Sequence, residues 1–332
     1  MNGDQDGRHP DRYRVLFAIS MQLENHTFTD AGEHAALLSG WEQQYFQLDC
    51  GQFHGRLQQI GSDGIHVFYE SVNRRIVQQG STPSDMLVFG IVLDASSPVT
   101  FADRAVTADS LICARANREF VLHFPGETAI LGIGVKLPFL RERPELAARL
   151  ESRFFTKTSV IPLEPGAREQ FIALWRYVTD EAFALNAFAE SELAQRTVTA
   201  QIFEMLDAVV ETGIHDDKAD ITWMSHSDVV ARAHEMIIAR PLEPVTVHEL
   251  CESLRISRRT VQTSFRLVTG KTPVEYMRAI RLNYVRQLLR KAPAGELTVR
   301  DAAQRWGFFH SGHFTQDYRE LFDAMPSDNR PK

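Results

Sequence analysis

A chain of 332 residues exceeds what one hydrophobic core usually organises, so two domains and a linker are the expectation. With 44% hydrophobic and 24% charged residues it has the balance of an ordinary globular protein, and no run of about 18 apolar residues could cross a membrane. The net charge is −7, which on its face argues against a nucleic-acid partner, but residues 227–332 carry +5 and the remainder −12, an asymmetry that points to a nucleic-acid or membrane surface for the last part.

Residues 1–40 are polar and poorly patterned, a lead expected to be partly disordered. Its start lacks an apolar stretch behind basic residues, so no signal peptide is expected. Cys50, Cys113 and Cys251 are too few and too scattered for a metal ribbon, and fit a reducing cytoplasm. From about residue 52 to 136, short alternating runs begin at Ile65, Met86, Phe120 and Ala129, separated by Gly, Asp, Ser and Pro. That spacing predicts an all-β sandwich or barrel. Helices are predicted over 138–150, 168–188 and 191–211. The last two could pair two subunits or cover the β-structure, and the pattern leaves both open. Polar residues 213–226 read as an interdomain linker. Residues 227–328 read as wholly helical, with an amphipathic helix near 228–239 and a long one over 273–291 that Pro293 ends.

This last region contains an internal repeat. TVHELCESLRI from Thr246 lies over TVRDAAQRWGF from Thr298. Each copy opens with threonine and has an acid three places on, a capping box or its aspartate variant. Each has a small residue, Cys251 or Ala303, where a second helix could approach closely. Each then turns, with Gly307 supplying the left-handed position in one copy and Arg255 occupying it in the other. A second helix follows in each, Val261 and Phe265 matching Phe314 and Tyr318. Helix, short turn, helix is a DNA-reading unit whose second helix enters the major groove. Two such units joined by a basic helix could enter successive groove segments on one face of DNA. Ten basic residues against Glu275 alone between 255 and 291 agree with that reading.

Residues 228–328 resemble the DNA-binding domain of the AraC/XylS family. The motifs that carry the resemblance are ISRRTVQTSF from Ile256, GKTP from Gly270, Arg278 to Leu289, and DAAQRWGF from Asp301 on to Pro326 and Ser327. Within the family, the start Ser257-Arg-Arg-Thr and the Trp306-Gly-Phe segment are similar to the branch regulating ethanolamine utilisation. Weaker similarity to that branch includes WEQQY from Trp41 and GQFHG from Gly51. The family's usual glycine after Phe322 is replaced by Asp323. The resemblance implies an α+β protein: a cupin-like β-barrel with flanking helices over 41–212, for effector binding and dimerisation, and an all-α domain of two helix-turn-helix units joined by a long helix. It implies a regulator, expected to be an activator, that meets promoter DNA and RNA polymerase as a homodimer under a small-molecule effector. An amine or alcohol effector, with a cobalamin, follows from the branch alone.

With Ser257 as N-cap, Arg259, Gln262 and Thr263 lie opposite Val261 and Phe265, where the family's base contacts fall. Arg suits guanine and Gln suits adenine. Arg258, Arg266 and Lys271 are placed for phosphates. In the second unit Thr315 and Gln316, beside Ser311 and Gly312, are the comparable readers. His310, His313 and Arg319 are the phosphate candidates there. Phe308, Phe314, Tyr318 and Phe322 read as core. For an effector pocket, His66, Phe68 and Glu70 share one strand face, and Trp41, Tyr45, His54 and Phe89 join them as candidates. A metal-dependent cupin enzyme would need a His-x-His pair, and none occurs between 50 and 136. With no nucleophile elbow or phosphate loop either, no catalytic residue, metal or cofactor is expected.

Overall fold

A computed structural model describes residues 22–38, 40–61, 64–102, 104–141, 143–154, 159–185, 192–212, 221–293 and 295–329. The first 21 residues of the expected lead, most of the expected linker (213–220) and positions 186–188 and 191 of two expected helices lie outside the described residues.

The β-rich part consists of two antiparallel sheets facing each other. In the larger, β1 (Gln22–Phe28), β3 (Gly55–Gly61), β4 (Ile65–Val72), β11 (Thr128–Lys136), β6 (Met86–Ala95), β9 (Ser110–Ala114) and β12 (Ser159–Pro162) are neighbours in that order. In the smaller the order is β2 (Glu42–Gln47), β5 (Ile76–Ser81), β10 (Glu119–Phe124), β7 (Val99–Phe101) and β8 (Arg104–Val106). The expected cupin-like barrel is thus met only as two facing sheets: among the described residues no ladder joins them into a closed ring. Residues 22–36, assigned from sequence to a poorly patterned lead, supply an edge strand and helix α1 (Ala31–Ala36). Asp30 caps α1, accepting from the N–H groups of Gly32 and Glu33 at 2.9 and 3.1 Å.

Side-chain alternation divides the burial. On β4, Ile65 and Val67 face outward into a cluster shared with helices, while Phe68 and Val72 face inward between the sheets with Tyr45, Phe101, Phe120 and Leu122. Gly132 on β11 is required here, because a Cβ would run into the Phe68 ring. The outward face is covered by α2 (Leu137–Leu140), α3 (Pro144–Phe154), α4 (Ala167–Leu185) and α5 (Glu192–Thr212), through Leu140, Leu150, Phe171, Trp175, Ile202 and Leu206.

The opposite face, on the smaller sheet, carries the C-terminal helices. These are α6 (Ile221–Ala239), α7 (Val247–Leu254), α8 (Arg258–Thr269), α9 (Pro273–Lys291), α10 (Val299–Arg305) and α11 (Ser311–Phe322), then a 3-10 turn at Pro326–Asn329. Phe46, Leu48 and Val77 of the sheet share one core with Val261, Phe265, Ile280, Val285, Phe314 and Tyr318. Asn283 of α9 caps the edge of the sheet: its Oδ1 accepts from Gln47 N–H at 2.9 Å and its Nδ2 donates to Gln47 C=O at 2.8 Å. An edge strand is thereby shielded from further pairing.

Candidate nucleic-acid interface

The repeat folds into two helix pairs, α7–α8 and α10–α11, on either side of α9. Thr246 caps α7 with the complete reciprocal box, its hydroxyl accepting from Glu249 N–H while the Glu249 carboxylate accepts from Thr246 N–H at 2.7 Å. These bonds hold the Glu249 carboxyl below its usual range. At Thr298 the shorter Asp301 takes the threonine hydroxyl at 2.7 Å instead. A third such box, Thr272 with Glu275, starts α9 behind Pro273. The left-handed residues are the expected pair, Arg255 at φ 54° and Gly307 at φ 72°. Asp323 closes α11 at φ 51°. The turn is 255–257 in the first unit and 306–310 in the second, so the second is the longer.

Helix α8 is strongly two-faced. Val261, Ser264, Phe265 and Val268 are buried, while Arg258, Arg259, Gln262, Thr263 and Arg266 are all exposed on the other side. The Ser257 hydroxyl accepts from Thr260 N–H at 3.1 Å and fixes the helix start, so the arginine pair projects from the first turn. On α11, Phe314, Tyr318, Leu321 and Phe322 are buried. Ser311, Gly312, His313, Gln316 and Arg319 are exposed, with His310 just ahead of them. Thr315 is half-buried and donates to Ser311 C=O at 2.9 Å, so its hydroxyl is engaged within its own helix. Phe308 is partly buried against the core, under the Arg281 guanidinium at 4.6 Å.

Besides the exposed Arg255 and Lys291, the basic side chains counted in the sequence divide into two sets. Arg281 donates to Trp306 C=O and Arg278 pairs with Asp317 at 3.3 Å, both tying α9 to the second unit. Arg286 and Arg290 reach across to Asp30 and Glu33 on α1. Lys271 meets Asp49 at 2.6 Å and is only 21% exposed, so the expected phosphate ligand is engaged by the β-rich part. Arg258, Arg259 and Arg266 remain exposed on α8. The loop at Gly51 also donates to the carbonyls of Glu320 and Leu321 at the end of α11. A cleft of about 800 Å³ runs between Gly51 and the exposed face bearing Ser311, Thr315, Gln316 and Arg319.

The expected effector residues fall in different places. Trp41, Phe68, Glu70 and Phe89 line a cavity of about 50 Å³ between the sheets. Tyr45 lies behind it, donating to Glu70. His66 shares the inward face of β4 but bonds Gln59 at 3.0 Å and does not line the cavity. His54 is exposed in the turn before β3, its ring in solvent because the strand alternation begins only after it. What the sequence did not reveal is His34, which joins the expected Tyr45 and Glu70 in a buried trio. The His34 Nε2 lies 3.4 Å from the Glu70 carboxylate, both groups almost wholly buried. Burial pushes Glu70 up to about 7 and His34 down to about 3.

Residues 250–332 match the family model described as "Helix-turn-helix domain". The probable thc operon regulatory protein of Rhodococcus erythropolis is 35% identical over 216 residues, 62% of each chain. XylDLEGF operon transcriptional activator 3 of Pseudomonas putida is 28% identical over 159 residues, 48% of this chain and 46% of its own. The match therefore spans less than two thirds of these relatives' length. A solved structure of a probable AraC family transcriptional regulator from Rhodopseudomonas palustris is 32% identical, with a TM-score of 0.29, over 31% of this chain and 99% of its own. Among the described residues no helix is long and apolar enough to cross a membrane.

Proposed function

We propose, from the premise that residues 250–332 form a helix-turn-helix domain of the AraC/XylS kind, that this chain is a sequence-specific DNA-binding transcription regulator controlled by a small-molecule effector. One observation carries the reading: two capped helix pairs share the support α9, and the first presents Arg258, Arg259, Gln262, Thr263 and Arg266 on one exposed face. In this reading Arg259, Gln262, Thr263 and Gln316 read bases, Thr315 in part, and Arg258, Arg266, Lys271, His310, His313 and Arg319 hold phosphates. The domain division is 41–212 for sensing and pairing of subunits, with residues 22–38 joining it, and the helices through 328 for DNA; the linker expected over 213–226 ends at 220, because α6 already begins at Ile221. The name of one relative, a transcriptional activator, supports activation; RNA polymerase as a partner at the promoter and a cytoplasmic setting follow from the family resemblance alone. No catalytic step is part of the reading.

The effector seat is the space between the two cupin-like sheets, where Trp41, Phe68 and Glu70 converge. The resemblance to the ethanolamine branch supports a small amine or alcohol facing Glu70. A cobalamin does not fit there, since about 50 Å³ is far below the roughly 300–1,000 Å³ of sites for drug-sized ligands. Homodimer pairing falls to α4 and α5, whose apolar stripes cover the sheet but which expose Tyr177 and Leu193.

Gel-shift titration on the DNA upstream of the gene, at two salt concentrations with scrambled competitor, tests the function. A preference of about a thousandfold or more with a steep salt slope is expected. Binding that ignores sequence, with or without effector, would reduce the repeat to a helical scaffold.

A further inference from the structure

A second and larger space lies outside the sheets. It is a cleft of about 720 Å³ between the outer face of β5 and β10 and the helix α6, floored by apolar side chains including Val77, Val121 and Val230. That volume falls within the roughly 300–1,000 Å³ range of small-molecule sites. Three residues that line it each carry a buried polar atom with no hydrogen-bond partner among the described residues: Nδ1 of His123, Nε2 of His234 and Oγ of Ser227. A buried polar atom without a partner costs about 1–3 kcal/mol, so three on one cleft mark a place where something else completes them.

The second observation concerns charge. Glu42, Glu119 and Glu235 are exposed carboxylates around the cleft, with Asp228 beside them paired to Arg232 at 3.0 Å. Both imidazoles are neutral by burial, His123 brought down to about 3 and His234 to about 4, so they add no positive charge. The His234 Nδ1 is engaged with the Tyr276 hydroxyl at 2.9 Å, so Nε2 is the ring atom left without a partner. The walls therefore combine an apolar floor, uncharged hydrogen-bonding groups and a surplus of negative charge. An anion is repelled there, and a purely apolar ligand leaves the polar atoms unsatisfied.

We propose that this cleft binds a small organic cation with an apolar body, its amine among the carboxylates and its hydrogen-bonding groups on His123, Ser227 and His234. Such a ligand touches β10 and α6 together, so it couples the β-rich part to the helices that carry the DNA face. The site rests on the shape, unpartnered atoms and charge of the cleft, and its effect on DNA binding rests on the regulator reading.

Calorimetric titration of the full chain with 2-phenylethylammonium, phenylacetate and 2-phenylethanol tests it, since the three differ chiefly in charge. The cation is expected to bind with a Kd of about 1 mM or tighter, and the other two at least about tenfold more weakly. The double variant Glu119→Gln/Glu235→Gln, at two exposed positions, is expected to weaken the cation about tenfold with its thermal unfolding unchanged. Failure of the cation to bind, equal binding of all three, or binding indifferent to the double variant overturns the proposal. Gel shifts on the same preparation separate the two readings. Specific DNA binding without cation binding removes this site alone, and cation binding without specific DNA binding removes the regulator alone.

Discussion

Arg258 and Arg259 are adjacent in sequence, but a helix turns about 100° between them, so one side chain can face the groove floor while its neighbour faces its wall. Arg259→Ala is expected to relax base preference at one operator position, worth about 1–3 kcal/mol of discrimination. Arg258→Ala is expected to weaken all sequences alike and lower the salt slope by about one. Gel shifts on a set of singly substituted operators distinguish them, and equal, sequence-blind losses would reverse the assignment. Arg255 is exposed and held at φ 54°, a conformation that glycine adopts without strain. Arg255→Gly is expected to raise stability by roughly 0.5–1 kcal/mol in urea unfolding, the strain relieved exceeding the added freedom of the unfolded chain. Glu70 gives a pH signature, because burial raises its folded value to about 7 beside a neutral His34. The unfolded carboxyl loses its proton first, so the folded state is progressively disfavoured as pH rises from the ordinary carboxyl value of 4.5 to about 7. Glu70→Gln removes that loss. Its stability advantage over the natural chain should grow across this window to the order of 3 kcal/mol and stay level above it. A difference independent of pH would show that Glu70 is already ionised in the folded protein.

At the scale of elements, what was legible in the sequence was what local patterning controls. The caps at Thr246, Ser257 and Thr298, the left-handed residues Arg255 and Gly307, and the bounds of α9 follow from neighbours a few positions apart. Long alternating strands such as β4, β6 and β11 were legible for the same reason, and so was the shared face of His66, Phe68 and Glu70. The short β7 and β8, the edge strand β1 and the pairing of two open sheets were not, because they are defined by partners far along the chain. His54 was misplaced because a histidine near a strand start carries no sign of which side it faces. Basic charge misled in a different way, since Arg281, Arg286 and Arg290 are as basic as Arg258 in composition yet serve as internal clamps. Asn283 shows the same limit: nothing local marks it as the residue that occupies both backbone groups of Gln47. Asn283→Leu leaves that N–H and C=O buried without partners, at a cost of about 2–4 kcal/mol. The expected result is a lower unfolding midpoint and faster proteolysis between the two parts. Unchanged values in both would mean that water replaces the amide.

Over the whole molecule, acids of the β-rich part hold the C-terminal helices by their basic side chains, one of them the proposed phosphate ligand Lys271. Asp49 takes Lys271, Asp30 and Glu33 take Arg286 and Arg290, and the Gly51 loop caps the end of α11. Arg75 adds a bond to Thr269 C=O at 3.1 Å, immediately before Gly270 and Lys271. A DNA backbone approaching along α8 must therefore either leave Lys271 out of its grip or displace Asp49 from it. In the second case the ion pair and the phosphate compete for one ammonium group, and DNA binding is coupled to undocking. Asp49→Asn removes the competitor without changing the volume of the loop. It is expected to strengthen binding to specific and nonspecific DNA by the same factor, several-fold at low salt. The salt slope should steepen by about one, because a further phosphate contact releases a further counterion. Combining it with Lys271→Ala should cancel the gain, since the benefit of freeing Lys271 requires that Lys271 be present. If Asp49→Asn leaves affinity and slope unchanged, Lys271 has no part in holding DNA and the docked arrangement is the one that binds.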